Sequence, residues 1–218
     1  MAVTLDILSD PICPWCYIGK THLDRALASR PAHPFKIEWH PFQLNPDMPD
    51  EGMDRRTYLE TKFGGKKEAV AVYGRIAEAA EAAGLFVNLA SIERTPNTVN
   101  AHRLIHWAGL EQKQDDVVAA LFQAYFTDGR DIGAVPELIA IGGECGLETD
   151  MLTRLFETEA DLEDIRARDA HSRQMGVTGV PTFIVGGRHA VPGAQPAELW
   201  EKVIDDLTAQ AAQADAGE

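Results

Sequence analysis

Cysteine is scarce in this chain: three in 218 residues, at positions 13, 16 and 145. A structural zinc centre needs four ligands, usually two close pairs of Cys or His. Cys145 stands alone, and His102 and His106, though spaced for one helix face, have no cysteine near them in sequence. No metal is therefore expected. Basic residues are also few, 20 Lys and Arg against 34 Asp and Glu, a formal net charge of −14. Nucleic acid and anionic membranes both require a basic surface, so neither is an expected partner. No stretch approaches the ~18 apolar residues of a membrane span. Met1 to Asp6 has neither the basic region nor the apolar core of a signal peptide. The expected location is the cytoplasm, where stable disulfides are rare and a close cysteine pair is more often catalytic than a staple. Repeats are absent, and the one biased tract is the Ala/Gln-rich end after Leu207, which is expected to fray.

What the chain does have is Cys13-Pro14-Trp15-Cys16, directly after the apolar run Val3 to Leu8. Two thiols two residues apart, opening a helix that follows a strand, is the arrangement of a redox motif. The first turn of a helix leaves N–H groups unpaired, and the peptide dipoles add partial positive charge there. Both favour thiolate: a free cysteine has a pKa of about 8.5, and in such sites it falls to roughly 3.5–7.5. Cys13, at the terminus, is the expected exposed nucleophile. Cys16, one turn further in, is placed to attack a mixed disulfide on Cys13. Pro14 suits the first helical position because its missing N–H costs nothing there. Trp15 is expected to tune the pair and cover its disulfide. A structural disulfide without catalytic role is the minority alternative.

Hydropathy patterning gives the organisation. Val3 to Leu8 reads as a central strand, and the motif helix runs to about Arg30-Pro31. Phe35 to Leu44 reads as a second strand, with Phe35, Ile37 and Trp39 alternating with Lys36, Glu38 and His40 on a wet face. Pro41 makes its far end irregular. After the loop Asn45 to Asp50 come helical periods. Lys66 to Ala83 carries Ala69, Val70, Tyr73, Ile76, Ala77 and Ala80 on one stripe, closed by Gly84. Further helices are expected over Thr98 to Ala108, Asp115 to Phe126 and Pro136 to Cys145, with Cys145 a buried thiol. A short piece capped by Thr149-Asp150 follows, then Leu162 to Met175. Gly179 to Val185 reads as a strand, Gly186-Gly187 as a hairpin turn, Arg188 to Val191 as its return, and Pro196 to Leu207 as a last helix. The order is that of an α/β thioredoxin-like fold (β-α-β … α-β-β-α) with an inserted all-helical domain. The boundaries are 1–45 and 160–218 for the thioredoxin-like part and 46–159 for the insert.

Val180-Pro181 lies roughly 165 residues after the motif. A proline in a β-branched run is anomalous, because it removes a ladder donor. A cis bond resolves the anomaly at a cost of only ~0.5–1 kcal/mol. It would turn the Val180 backbone toward Cys13, free to pair with an extended substrate. The alternative is a trans proline at the start of an edge strand; the presence of the cysteine motif favours the first.

Four stretches carry a family resemblance: Ser9-Asp10-Pro11-Ile12-Cys13-Pro14-Trp15-Cys16-Tyr17-Ile18-Gly19, Pro41 to Pro46, Asn97 to Leu104, and Gly176 to Phe183. They span almost the whole chain, which resembles the DsbA-type thioredoxin superfamily and, within it, the FrnE-like branch. The resemblance implies thiol–disulfide exchange on protein or small disulfides. Cys13 would be the nucleophile and Cys16 the resolving thiol. Val180, Pro181, Trp15 and Pro14 would be substrate-binding. It implies a redox-active disulfide and no bound cofactor. Exported DsbA proteins are oxidants, but without an export signal and in a reducing cytoplasm a reductase or isomerase role is favoured. The superfamily also holds 2-hydroxychromene-2-carboxylate isomerases and kappa-class glutathione transferases. These use glutathione and generally carry serine at the position of Cys13. Glutathione is thus a second expected partner beside protein thiols, and the helical insert offers a homodimer face. A non-enzymatic peptide-binding module is a further alternative. Asn97, Thr98 and His102 either line a small-molecule pocket or cap and pack a helix. Asp10 either raises the thiol pKa or accepts helix N–H bonds. Asp6 is either a proton relay for Cys16 or solvent-facing. For His40, a wet strand face is favoured over catalysis.

Overall fold

The computed structural model describes residues 2–216. Its central sheet has the order β2-β1-β5-β6. β1 (Val3–Ser9) runs parallel to β2 (Phe35–Pro41), and the pair is joined by α1 (Pro14–Ser29). β5 (Thr182–Val185) and β6 (His189–Pro192) form an antiparallel hairpin, with β5 antiparallel to β1. Gly186 and Gly187, at φ 58° and 67°, supply the left-handed turn between them.

Strand alternation sorts the sheet into two faces. Leu5 and Ile7 lie opposite Val185 and Phe183, and Trp39 joins them from β2. These five are buried in one cluster with Leu23 of α1 and with Trp200 and Ile204 of α9 (Ala197–Ala216), where Phe183 meets Trp200 edge to face with centroids 4.6 Å apart. Each such fully buried side chain contributes roughly 1.5–3 kcal/mol relative to exposure. Asp6, Leu8, His40 and Ile184 face the other way, toward α8 (Leu162–Gln174).

The insertion is helical. It comprises α2 (Arg55–Phe63), α3 (Lys66–Ala82), α4 (Val99–Leu110), α5 (Gln114–Phe126), α6 (Val135–Glu144) and α7 (Thr149–Phe156). To these it adds an antiparallel bridge of β3 (Met53–Asp54) with β4 (Arg94–Thr95). Val118, Leu121, Phe122 and Tyr125 on α5 are buried in one cluster with Leu5 and Ile7 of the sheet. Tyr17 of α1 stacks on Phe122 and Phe126, with centroids 5.2 and 5.9 Å away. No described helix is long and apolar enough to cross a membrane.

Several expectations are corrected. β2 stops at Pro41 rather than Leu44, and β5 starts at Thr182 rather than Gly179, because neither proline can donate to the ladder. α2 is unanticipated; its sequence RRTYLETKF has no apolar stripe to read. On α3, Ala69, Ile76 and Ala80 are buried, but Ala77 is exposed and Val70 is 64 % exposed, since nothing packs over that part of the helix. Thr149 is the first residue of α7 and its cap is Glu148. Cys145 is half-buried at the C-cap of α6 rather than buried within it. α9 extends past Leu207 to Ala216; positions 217 and 218 lie outside the described residues.

Candidate active site

Cys13 is the N-cap of α1, with extended φ/ψ of −89° and 113°, and Pro14 is the first helical residue. The Cys13 carbonyl accepts from the N–H of Cys16 at 3.0 Å, which closes the first turn around the pair. Both residues are free thiols. Across from them the Val180–Pro181 peptide bond is cis. The Cys13 thiol donates to the Val180 carbonyl, Sγ to O 3.5 Å. The two stretches that the sequence holds far apart therefore meet at one point.

The exposed nucleophile expected at Cys13 is not observed: Cys13 is only 3 % exposed and Cys16 1 %. The Val180 carbonyl lies against the sulfur, and Trp15, itself 41 % exposed, stands beside it in the motif. Burial first, then the hydrogen bond and charge of Cys13, push the Cys16 thiol well above its usual range; the Ser9 hydroxyl and the Asp10 N–H act in the opposite direction.

Close approach of α1 to the proline loop depends on Gly19. A Cβ there would sit 3.2 Å from Pro181 Cγ and 3.4 Å from Phe183 Cζ. Gly19 and Ser9 are site residues that sequence reasoning passed over. A glycine inside a helix, disfavoured by roughly 0.5–1 kcal/mol against alanine, was the available signal for the first.

Asp10 is fully buried, and burial raises its carboxyl to about 7. Its Oδ1 accepts from the Ile12 N–H at 3.3 Å and its Oδ2 from the Leu44 N–H at 2.6 Å. It accepts backbone N–H bonds, but from loop residues rather than from the helix. Asn97 precedes Thr98, the N-cap of α4: its Oδ1 accepts from Val99 N–H at 3.0 Å, and its Nδ2 donates to the Met48 carbonyl at 2.7 Å. Thr98 is buried against Gln43. His102 is buried 4.0 Å from Asp10, yet burial, with Arg168 nearby, lowers its pKa to about 3. The imidazole is neutral at pH 7, so this close contact is not an ion pair. Thr98 and His102 lie beside Asp10, while Asn97 ties the Met48 loop to the start of α4.

Asp6 lies on the α8 face, opposite to α1, which removes it from Cys16. It accepts from His40 Nε2 at 2.9 Å, while Arg168 donates to His40 Nδ1 at 3.2 Å. The face expected to be wet is exposed at Lys36 and closes toward His40 into a half-buried charge cluster. Among the described residues, Asp6, Glu38 and His40 bring ligand atoms within 4.8 Å of one another. Arg168 can only donate, so it occupies the Nδ1 lone pair and leaves the hydrogen on Nε2, the nitrogen that faces Asp6. Lys36 pairs with Glu38 at 2.7 Å. The cluster is satisfied internally and is a poor cation site.

A parallel β-α-β and an antiparallel hairpin, with a dithiol at the start of the first helix and a cis-proline loop facing it, define a thioredoxin-fold protein of the dithiol type. The family model for the DSBA-like thioredoxin domain matches residues 4–205. The chain belongs to that family. It is 28 % identical to an uncharacterized protein, YwbO, of Bacillus subtilis over 207 residues, covering 94 % of this chain and 98 % of that one. It is similar to the crystal structure of a probable DsbA oxidoreductase from Streptomyces coelicolor, with TM-score 0.82, 28 % identity, and coverage of 94 % and 89 %. A 2-hydroxychromene-2-carboxylate isomerase shares the fold at TM-score 0.73, 16 % identity, and coverage of 96 % and 98 %. So does the cytosolic disulfide reductase DsbM of Pseudomonas aeruginosa in its structure with GSH, at TM-score 0.65, 22 % identity, and coverage of 94 % and 98 %.

Proposed function

We propose that this protein is a dithiol oxidoreductase of the FrnE-like branch, working as a reductase or isomerase on protein or small disulfides. The observation that carries the reading is the contact of Cys13 Sγ with the Val180 carbonyl, at the start of α1. The Cys13 thiolate attacks a substrate disulfide R–S–S–R′, releasing R′S⁻ and forming Cys13–S–S–R. Cys16 then attacks Cys13 Sγ, RS⁻ leaves, and the protein holds the Cys13–Cys16 disulfide. Two electrons have passed to the substrate, and two external thiols restore the dithiol. The environment of Cys16 suits this order. Part of what keeps it protonated is Cys13 itself. Once Cys13 is tied up in the mixed disulfide that contribution disappears, and Cys16 ionises more readily at the moment it must attack.

Val180 and Pro181 form the substrate cradle, with Pro14 and Trp15 as the opposing wall, and an extended chain pairs with the Val180 backbone by strand addition. Displacing the Cys13–Val180 contact is the opening step, which reconciles a nucleophile buried at rest with attack on a bulky disulfide. Glutathione is the co-substrate in this reading, and no resident cofactor is required. The cytoplasm is the compartment in which net reduction is supported. Two thiols, rather than one serine or cysteine, favour this chemistry over glutathione-dependent isomerisation.

Insulin reduction driven by dithiothreitol is the direct test. Wild type should accelerate it and Cys13→Ser should not; equal rates would refute the proposal. Cys16→Ser should instead accumulate a mixed disulfide on Cys13, visible by intact mass, because the resolving step is missing.

A further inference from the structure

The exposed Val70 sits at the mouth of a cavity of about 550 Å³ between α2 and α3, lined by none of the motif residues. Its apolar wall is Leu59, Val70 and Ile92, and its inner polar end is Arg55. Arg55 is 7 % exposed and lacks a counter-charge: among the described residues no carboxylate lies within 4.0 Å of its guanidinium. Its partners are neutral. Nη1 donates to Thr95 Oγ1 and to Tyr125 Oη, each at 3.0 Å, and Nη2 donates to Tyr73 Oη. The rings of Tyr58, Tyr73 and Tyr125 surround its Cζ at 5.9, 5.4 and 5.6 Å. Nε is buried with no acceptor at all. A buried cation without an anion is costly, and a buried donor without an acceptor adds to that cost.

We propose that this cavity binds a small amphipathic monocarboxylate, its carboxylate neutralising Arg55 and its apolar tail lying along Leu59, Ile92 and Val70. Arg56 and Lys66 add positive charge to the lining, while Asp54, Glu60 and Glu93 oppose it. With Arg55 counted the lining is formally neutral, which disfavours polyphosphates and leaves the guanidinium itself as the group that would select a single carboxylate. The volume is in the range of pockets that enclose ligands of this size. Covering Val70 would also complete the apolar stripe that α3 carries but leaves partly bare.

The test is titration calorimetry of the full chain with octanoate and with octan-1-ol, which share a tail and differ in charge. Octanoate should bind at least tenfold tighter than the alcohol. Val70→Glu, at a site exposed enough to leave the apo melting temperature unchanged, should weaken octanoate at least tenfold by placing a second negative charge at the mouth. Absence of octanoate binding, equal affinity for the alcohol, or wild-type octanoate affinity in Val70→Glu would each overturn the proposal. None of these readouts depends on thiol chemistry.

Discussion

Asp10 is a residue whose chemistry departs far from its type. Its carboxyl ionises at about 7 in the folded protein, against 3.8 for an ordinary aspartate, because burial outweighs the N–H bonds and the Lys62 charge that favour the anion. Between those two values the folded state holds a proton that the unfolded chain has released. The stability that Asp10 contributes therefore falls as pH rises from about 4 to about 7 and levels off above. The contribution is on the order of 4 kcal/mol, at 1.36 kcal/mol per unit. Asp10→Asn removes the titration but replaces one acceptor oxygen with a donor, so it carries a constant penalty as well. In urea unfolding, the stability of the variant relative to wild type should improve steadily from pH 4.5 to pH 7.5. A difference that stays flat across that range would mean Asp10 does not titrate there.

At the scale of elements, α1 and the Pro181 loop are held together by an absence, the missing side chain of Gly19. Gly19→Val would drive a branched side chain into Pro181, where even a Cβ is 3.2 Å from Cγ. Overpacking of this kind costs about 1–3 kcal/mol. It should lower insulin reduction at least tenfold, because the loop facing Cys13 must move. Gly74, exposed in the middle of α3 with nothing within 4 Å of its Cβ position, is the opposite case. Gly74→Ala should stabilise by ~0.5–1 kcal/mol in the same unfolding assay, by lowering the entropy of the unfolded chain. The contrast also marks what can be read from sequence. The cysteine pair, the Val-Pro step and the order of strands and helices depend on local chemistry and periodicity, and they were legible. The need for glycine at 19 depends on a loop about 160 residues away and was not. The burial of Cys13 and the bareness of Val70 are likewise settled by what else in the chain packs over them. α2 escaped because its turns rest on caps, with Asp54 accepting from Thr57 N–H at 2.9 Å and Gly64 left-handed at φ 82°, instead of on an apolar stripe.

For the molecule as a whole, the insert and the sheet share one buried cluster, so the division at residues 46 and 159 stands as a proposal about chain order. Lys20 helps to join the parts. It is buried on α1 and pairs with Asp24 and, across to α5, with Asp115, both at 2.9 Å. Burial opposes its charge, but the two carboxylates more than offset this and raise its pKa. Among the described residues most other acidic side chains have no such partner, and the chain carries a net charge of −14. That field acts on any charged disulfide diffusing toward Cys13, and salt screens it with a Debye length of about 10 Å at 0.1 M. Glutathione disulfide, net negative at pH 7, approaches against the field; cystamine, net positive, approaches with it. Raising ionic strength from about 0.02 to 0.5 M should therefore increase kcat/KM for glutathione disulfide and decrease it for cystamine, each by roughly two- to tenfold. If both rates move in the same direction, the long-range field does not govern encounter. Local groups near the motif would then set the preference between the two substrates.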